Sequence, residues 1–260
     1  MSTAHVELPP ELDDGTRLGF VHSAETTSGV NGPGLRYTMF LSGCPLRCLY
    51  CHNPDTQMMR LGDRTTVKRV LAEAARYRPF IADGGGITIS GGEPLQQHQF
   101  VEDIFVGAKT ELGLHTALDT SGMGGMKASD RLIEHTDLVL LDIKAGNARK
   151  YAHVTQTGKF DLLLEFAHRL LEHGTRLWIR FVLVPGLTDD PDHVAQVADV
   201  CVELRDIIDR VEVLPYHRLG VDKYEALGRV YPLHGTPSPT NEQVERTVAI
   251  FTERGLYTLW

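Results

Sequence analysis

Apolar positions recur along the chain in two alternating rhythms. Short apolar runs bounded by Gly, Pro or charge predict strands at 37–43, 87–90, 114–119, 138–143, 176–184, 210–215 and 256–260. Between them the apolar spacing becomes helical. Thr66 can cap a helix carrying Val67, Val70, Leu71 and Ala74. A second helix, 97–112, carries Phe100, Val101, Ile104, Phe105 and Ala108, and Gly113 stops it. Further helices are predicted at 130–135, at 162–173 before Gly174, at 193–208 and at 242–254.

Strand–helix alternation repeated about six times implies a parallel sheet with helices outside. The near-continuous apolar run Leu138–Leu141 suits a strand covered on both faces. Six units are too few for an eight-fold barrel, so a partial barrel or a doubly wound sheet is expected. Residues 1–16 read as a loose extension and 17–260 as a single domain. Four polar words close predicted strands: Ser90-Gly-Gly-Glu93, Asp119-Thr120, Asp142-Ile-Lys144 and Tyr216-His217. In barrel-like sheets the carboxyl ends of the strands carry the active site.

Composition narrows the classes. With 42% hydrophobic and 23% charged residues the chain is of ordinary globular type. No apolar run approaches the ~20 residues that span a bilayer, and the acidic start MSTAHVELPPELDDG lacks an export pattern. No membrane association and a cytoplasmic location are expected. The net charge of −8 argues against nucleic acid as a partner. Arg60, Arg64, Lys68, Arg69, Arg76 and Arg78 do cluster, and a solvated helix face is their plainer explanation.

Four cysteines are too few for a disulfide scaffold. Three of them form Cys44-Pro-Leu-Arg-Cys48-Leu-Tyr-Cys51, a C-x3-C-x2-C run that can hold zinc or an iron–sulfur cluster. A structural zinc wants four ligands, and His52, adjacent to Cys51, is badly placed for the fourth. Cys201 falls on the apolar stripe Val194, Val197, Ala198, Cys201, Leu204 and Ile208, where a cysteine acts as a small hydrophobe. Three thiolates on a cubane leave one iron open to an amine and a carboxylate.

The triplet resembles the signature of the radical S-adenosylmethionine (radical SAM) enzymes. Val30-Asn-Gly-Pro-Gly-Leu-Arg36, Cys48-Leu-Tyr-Cys-His-Asn53, Ser90-Gly-Gly-Glu93, Leu118-Asp-Thr120, Leu141-Asp-Ile-Lys144, Trp178-Ile-Arg180 and Leu214-Pro-Tyr-His217 resemble, in the same order, the activases of glycyl radical enzymes. The likeness runs from about Gly19 to the carboxyl end. Only 13 residues without cysteine separate Cys51 from Thr65-Thr66, which resembles the single-cluster, pyruvate formate-lyase type.

The resemblance implies an α/β fold, a partial (β/α)6 TIM-like barrel. It implies a 4Fe–4S cluster on Cys44, Cys48 and Cys51, and S-adenosylmethionine beside Tyr50, Cys51, His52, Gly92, Asp142, Ile143, Lys144 and His217. Arg180 is a further cofactor candidate. Asp119, Thr120 and Asp142 match a monovalent cation site. The implied reaction is reductive cleavage of S-adenosylmethionine and removal of a glycine Cα hydrogen from pyruvate formate-lyase, under anaerobic conditions. A flavodoxin- or ferredoxin-type electron donor and a monomeric chain are also implied. Asn31 stands where the family usually has aspartate near the substrate peptide, which removes a charge but keeps an acceptor oxygen. The alternatives are activation of another glycyl radical enzyme, radical chemistry on a small molecule, and a structural zinc module.

Overall fold

The computed structural model describes residues 17–157 and 159–260, apart from the Arg60 side chain. The extension expected over 1–16 lies outside the described residues. Two compact units divide the described residues: 17–44 with Thr56–Asp119 and Lys127–Asp137, and Pro45–Asp55 with Thr120–Met126 and the described part of 138–260.

The first unit holds strands β1 (Leu18–Ser28), β2 (Arg36–Leu41), β3 (Asp63–Thr66), β4 (Gly86–Gly91) and β5 (His115–Thr120). Its helices are α1 (Val67–Ile81), α2 (His98–Thr110) and α3 (Asp130–Glu134). The strand order is β3-β1-β2-β4-β5. β2, β4 and β5 run parallel, in the register Tyr37–Ile87 and Ile87–Thr116. Their apolar residues, Tyr37, Met39, Leu41, Ile87, Ile89, Ala117 and Leu118, are all buried. The Thr66 hydroxyl accepts from the Arg69 amide and so opens α1. Gly113, at φ +62°, ends the α2 segment where a side chain would be strained.

The second unit holds β6 (Leu138–Asp142), β7 (Arg176–Leu183), β8 (Ile208–Pro215) and β9 (Thr258–Leu259), in that order and all parallel. Its helices are α4 (Ala148–Thr155), α5 (Phe160–His173), α6 (Pro191–Glu203), α7 (Val221–Ala226) and α8 (Asn241–Thr252). α5 buries Phe160, Leu163, Phe166, Ala167 and Leu170, each large side chain contributing roughly 1.5–3 kcal/mol by leaving water. α8 begins with a reciprocal cap between Thr240 and Gln243.

The all-parallel expectation needs correction at one edge. β1 pairs antiparallel with both β2 and β3. Its outer half, His22–Thr27, is largely solvated, so the apolar pattern does not announce a strand there. The helix predicted over 193–208 ends at Glu203, because Leu204 to Ile208 turn through short-range hydrogen bonds into β8. α4 and α7 escaped the periodicity because both are short. The exposed Arg64, Lys68, Arg69, Arg76 and Arg78 occupy β3 and the solvated side of α1, as the plainer reading expects. Among the described residues no helix is long and apolar enough to cross a membrane.

Candidate cluster and cofactor site

In the first unit, β2 runs into the cysteine segment. The Gly43 amide donates to the Thr56 carbonyl at 2.7 Å and the Cys44 amide to Gln57 at 3.1 Å. The turn after β4 is tied to the same backbone. Gly92 donates to the Leu41 carbonyl and Glu93 to that of Gly43, both at 2.8 Å. A Cβ at Gly92 would lie 2.5 Å from the Gly43 carbonyl oxygen and 2.9 Å from that of Thr56. The need for glycine is therefore internal: a side chain would push the cysteine segment away before meeting any ligand. At the end of β5 the Asp119 carboxylate accepts from the Ser90 hydroxyl at 2.6 Å.

The same unit contains the Asn31 loop. Asn31 is buried, its side-chain amide donates to the Ser28 hydroxyl at 3.0 Å, and its carbonyl accepts from the Thr88 hydroxyl at 2.6 Å.

In the second unit, the backbone around Cys48 is held by α4. The Arg47 amide donates to the Thr155 carbonyl and the Leu49 amide to that of Val154, both at 3.0 Å. These loop amides satisfy carbonyls that the end of a helix leaves open. Cys48 and Leu49 pack against an apolar cluster of Tyr50, Val154, Val184, Leu187, Tyr216, Tyr224 and Tyr231. Burial pushes the Cys48 thiol up to about 11, with Lys144 opposing and Cys51 and Asp142 adding to the rise. An ionised sulfur at Cys48 thus requires cationic charge beside it.

Beyond β6, the Lys144 ammonium donates to the Asp142 carboxylate at 2.7 Å and lies 5.9 Å from the Tyr50 ring centroid. Burial opposes its charge, but Asp142, Tyr50 and Cys48 outweigh burial and hold it well above the usual lysine range. The buried Tyr50 hydroxyl has no hydrogen-bond partner among the described residues. Ile143 is fully buried, and its amide donates to the Arg180 carbonyl at 3.1 Å. Arg180 is in register with Asp142 and Glu212, and its Nε donates to the Glu212 carboxylate at 3.1 Å. Thr120 accepts the Gly122 amide on its hydroxyl at 3.0 Å.

Past β8, the His217 and His52 rings lie 4.1 Å apart, centroid to centroid. His52 Nε2 also meets the His217 carbonyl at 3.0 Å. Burial, and then the facing His217, hold the His52 imidazole below its usual range. Two residues of this segment have no signal in the sequence. The Lys223 ammonium donates to the Asn53 side chain at 2.7 Å, and a Cβ at Gly220 would sit 2.9 Å from the His52 backbone.

The chain belongs to the radical SAM superfamily, which residues 38–198, more than half of it, match. Within that class it is 45% identical over 236 residues to the pyruvate formate-lyase-activating enzyme of Staphylococcus aureus strain USA300, covering 87% of this chain and 92% of that one. A crystal structure of a domain of the pyruvate formate-lyase-activating enzyme of Bacteroides vulgatus matches with a TM-score of 0.56 and 25% identity, over 68% of this chain and 98% of that chain. A radical SAM methyltransferase from Sphaerobacter thermophilus matches with a TM-score of 0.63 and 19% identity, over 96% of this chain and 74% of that one. This last likeness shows the fold alone, the radical SAM α/β partial barrel. The chain is a radical SAM enzyme using a 4Fe–4S cluster and S-adenosylmethionine, and the zinc-module alternative falls with that membership.

The residues fit these groups. Three thiols stand within eight positions, and the fourth cysteine, Cys201, is fully buried on α6. The half-buried Cys48 sulfur packs on an apolar cluster where bound iron would favour its ionised form, and the Tyr50 hydroxyl leaves a donor for a ligand. Among the described residues no three His, Cys, Asp or Glu side chains gather around one metal ion. A cubane, whose thiolates bind separate irons, does not ask for that.

Proposed function

We propose that this chain installs a glycyl radical on pyruvate formate-lyase, with residues 17–260 acting as one radical SAM domain. The 45% identity over 236 residues to an enzyme named for that activation carries the reading. When bound, a cluster reduced by the electron donor would supply the electron for reductive cleavage of S-adenosylmethionine, the chemistry that removes a hydrogen atom from a glycine Cα of the partner.

Cys44, Cys48 and Cys51 are the cluster ligands in this reading. Tyr50, Cys51, His52, Gly92, Asp142, Ile143, Lys144 and His217 bind S-adenosylmethionine. Lys144 pairs with the methionyl carboxylate, and its hydrogen bond to Asp142 aligns the ammonium beforehand. His52 and His217 offer imidazole faces to the adenosine. Asp119, Thr120 and Asp142 take a monovalent cation through hard oxygen atoms. Asn31 meets the substrate peptide. A flavodoxin- or ferredoxin-type donor, a monomeric chain and a cytoplasmic location complete the proposal.

The test is anaerobic incubation of the reconstituted protein with pyruvate formate-lyase, S-adenosylmethionine and reductant, followed by electron paramagnetic resonance. A glycine-centred radical on the partner is the expected result. Cofactor cleavage with no radical on the partner overturns the choice of substrate.

A further inference from the structure

Arg36 is fully buried at the start of β2. Its guanidinium meets no carboxylate within hydrogen-bond distance among the described contacts, and its donors go to neutral acceptors. Nη2 donates to the Ile87 carbonyl at 2.6 Å and to the His115 carbonyl at 3.3 Å, and Nη1 to the Pro33 carbonyl at 3.1 Å. Nη2 also lies 3.3 Å from His115 Nδ1. Nε donates to the Thr88 hydroxyl. Burial lowers the guanidinium to about 10, and Asp137 opposes that. Keeping a charge buried among neutral groups is costly, so this arrangement calls for an explanation.

The acceptors share a target. A threonine hydroxyl has one proton, and Thr88 gives it to the Asn31 carbonyl at 2.6 Å. The oxygen can then only accept from Arg36. Pro33 belongs to the same loop. Gly32, at φ +122°, rests on the arginine stem, where a Cβ would come 2.9 Å from both Cδ and Nε. Gly34, at φ +63°, would drive a Cβ to 2.3 Å from the Gly84 carbonyl oxygen. The word Asn31-Gly-Pro-Gly-Leu-Arg36 is thus one device: an arginine folds beneath its own glycine loop and holds two of its carbonyls, one directly and one through Thr88. Neither Arg36 nor Thr88 is a ligand of the cluster or of the cofactor in the reading above.

We propose that Arg36, acting through the Thr88 hydroxyl, is the positioning residue that sets the loop 29–35 for capture of the partner's glycine-bearing peptide. This rests on the reading of Asn31 as the peptide site. A planar fork with several fixed donors suits the task, because it holds separate carbonyls at once, whereas a lysine would supply a point charge.

The experiment uses the full-length, cluster-loaded protein and a synthetic peptide copying the radical glycine loop of pyruvate formate-lyase. Three readouts are taken: amide hydrogen exchange over residues 29–35, KM for the peptide, and S-adenosylmethionine cleavage without peptide. Thr88→Val keeps the volume and deletes the relay. It is expected to speed exchange in the loop and raise the peptide KM by about tenfold each, the loss of one hydrogen bond. Iron content and cleavage without peptide are expected to stay unchanged. Thr88→Ser, which restores the hydroxyl, is expected to rescue both effects. Thr88→Cys, a similar volume with a weaker donor, gives an intermediate effect and stands in if the valine protein does not fold.

Unchanged exchange in Thr88→Val overturns the relay. Lost cleavage without peptide overturns it too, by placing the relay under the cofactor. Faster exchange with an unchanged KM is resolved by Asn31→Ala. If Asn31→Ala raises KM, the positioning role of Arg36 and Thr88 is wrong. If it does not, the peptide-site reading itself has failed.

Discussion

The ammonium of Lys144 is held 2.7 Å from the carboxylate of Asp142, two residues earlier at the end of β6. The lysine cannot swing freely, so its charge is aligned before any ligand arrives. Charge-assisted hydrogen bonds of this kind contribute about 1.5–3 kcal/mol. Lys144→Ala is therefore expected to weaken S-adenosylmethionine binding by about tenfold or more. His217→Ala is expected to weaken it as well, through the adenosine end. Calorimetric titration of anaerobic protein checks both, and iron content should be retained. Normal cofactor affinity in both variants would show that the wrong strand ends were chosen.

Cys201 differs from the other three cysteines in kind. Its thiol is fully buried on α6, and burial raises it far above the ordinary range. Cys201→Ala is expected to cost about 1–2 kcal/mol of packing and to leave iron unchanged. Cys44→Ala, Cys48→Ala or Cys51→Ala should each prevent cluster assembly. Iron analysis beside denaturant unfolding separates the two outcomes.

His193 gives the fold an acid limit. The ring is buried near Phe181, and neither nitrogen has a hydrogen-bond partner among the described residues. Burial, reinforced by Lys150 and opposed by Asp190, lowers the imidazole from 6.5 to about 4. Between those values the unfolded chain binds a proton that the folded chain refuses, so stability is complete above about 6.5 and declines as pH falls toward 4. His193→Leu is expected to flatten that acid side without loss at neutral pH. Urea unfolding at several pH values between 4 and 7.5 tests this, and an unaltered slope would contradict it.

Asn31 carries a prediction about charge. Its side-chain amide donates to Ser28, whose hydroxyl could equally donate to a carboxylate, so the loop accommodates aspartate. A carboxylate strengthens each bond to a peptide N–H about twofold. Asn31→Asp is expected to shift affinity for a glycine-loop peptide by about tenfold or less. Equilibrium binding of the labelled peptide measures it, and a hundredfold change would mean that the neutral side chain governs capture.

Much of the fold is legible in the sequence alone. The apolar spacing of α2 and α5 found real helices, and the polar words at 90–93, 119–120, 142–144 and 216–217 do close parallel strands. Periodicity reports burial, and these elements are buried on a continuous face. β1 was hidden because half of it is solvated, and α4 because eight residues carry too few apolar positions. The resemblance marks Gly92 for a place beside the cofactor, whereas the carbonyls of Gly43 and Thr56 that exclude a side chain there come close only after folding. Lys223 and Asn53 lie 170 residues apart, and no local pattern couples them. Arg36 closed a recognised word, yet nothing in its position reveals that it turns back under Gly32.

The strand order ends on β3 in the first unit and on β9 in the second. β3 is four residues long and exposes Asp63 and Arg64, while β9 is two residues long. An exposed strand edge is a template on which another chain can add, and short or charged edges deny that template. Among the described residues, these two ends therefore present little backbone on which the sheet of another chain could grow.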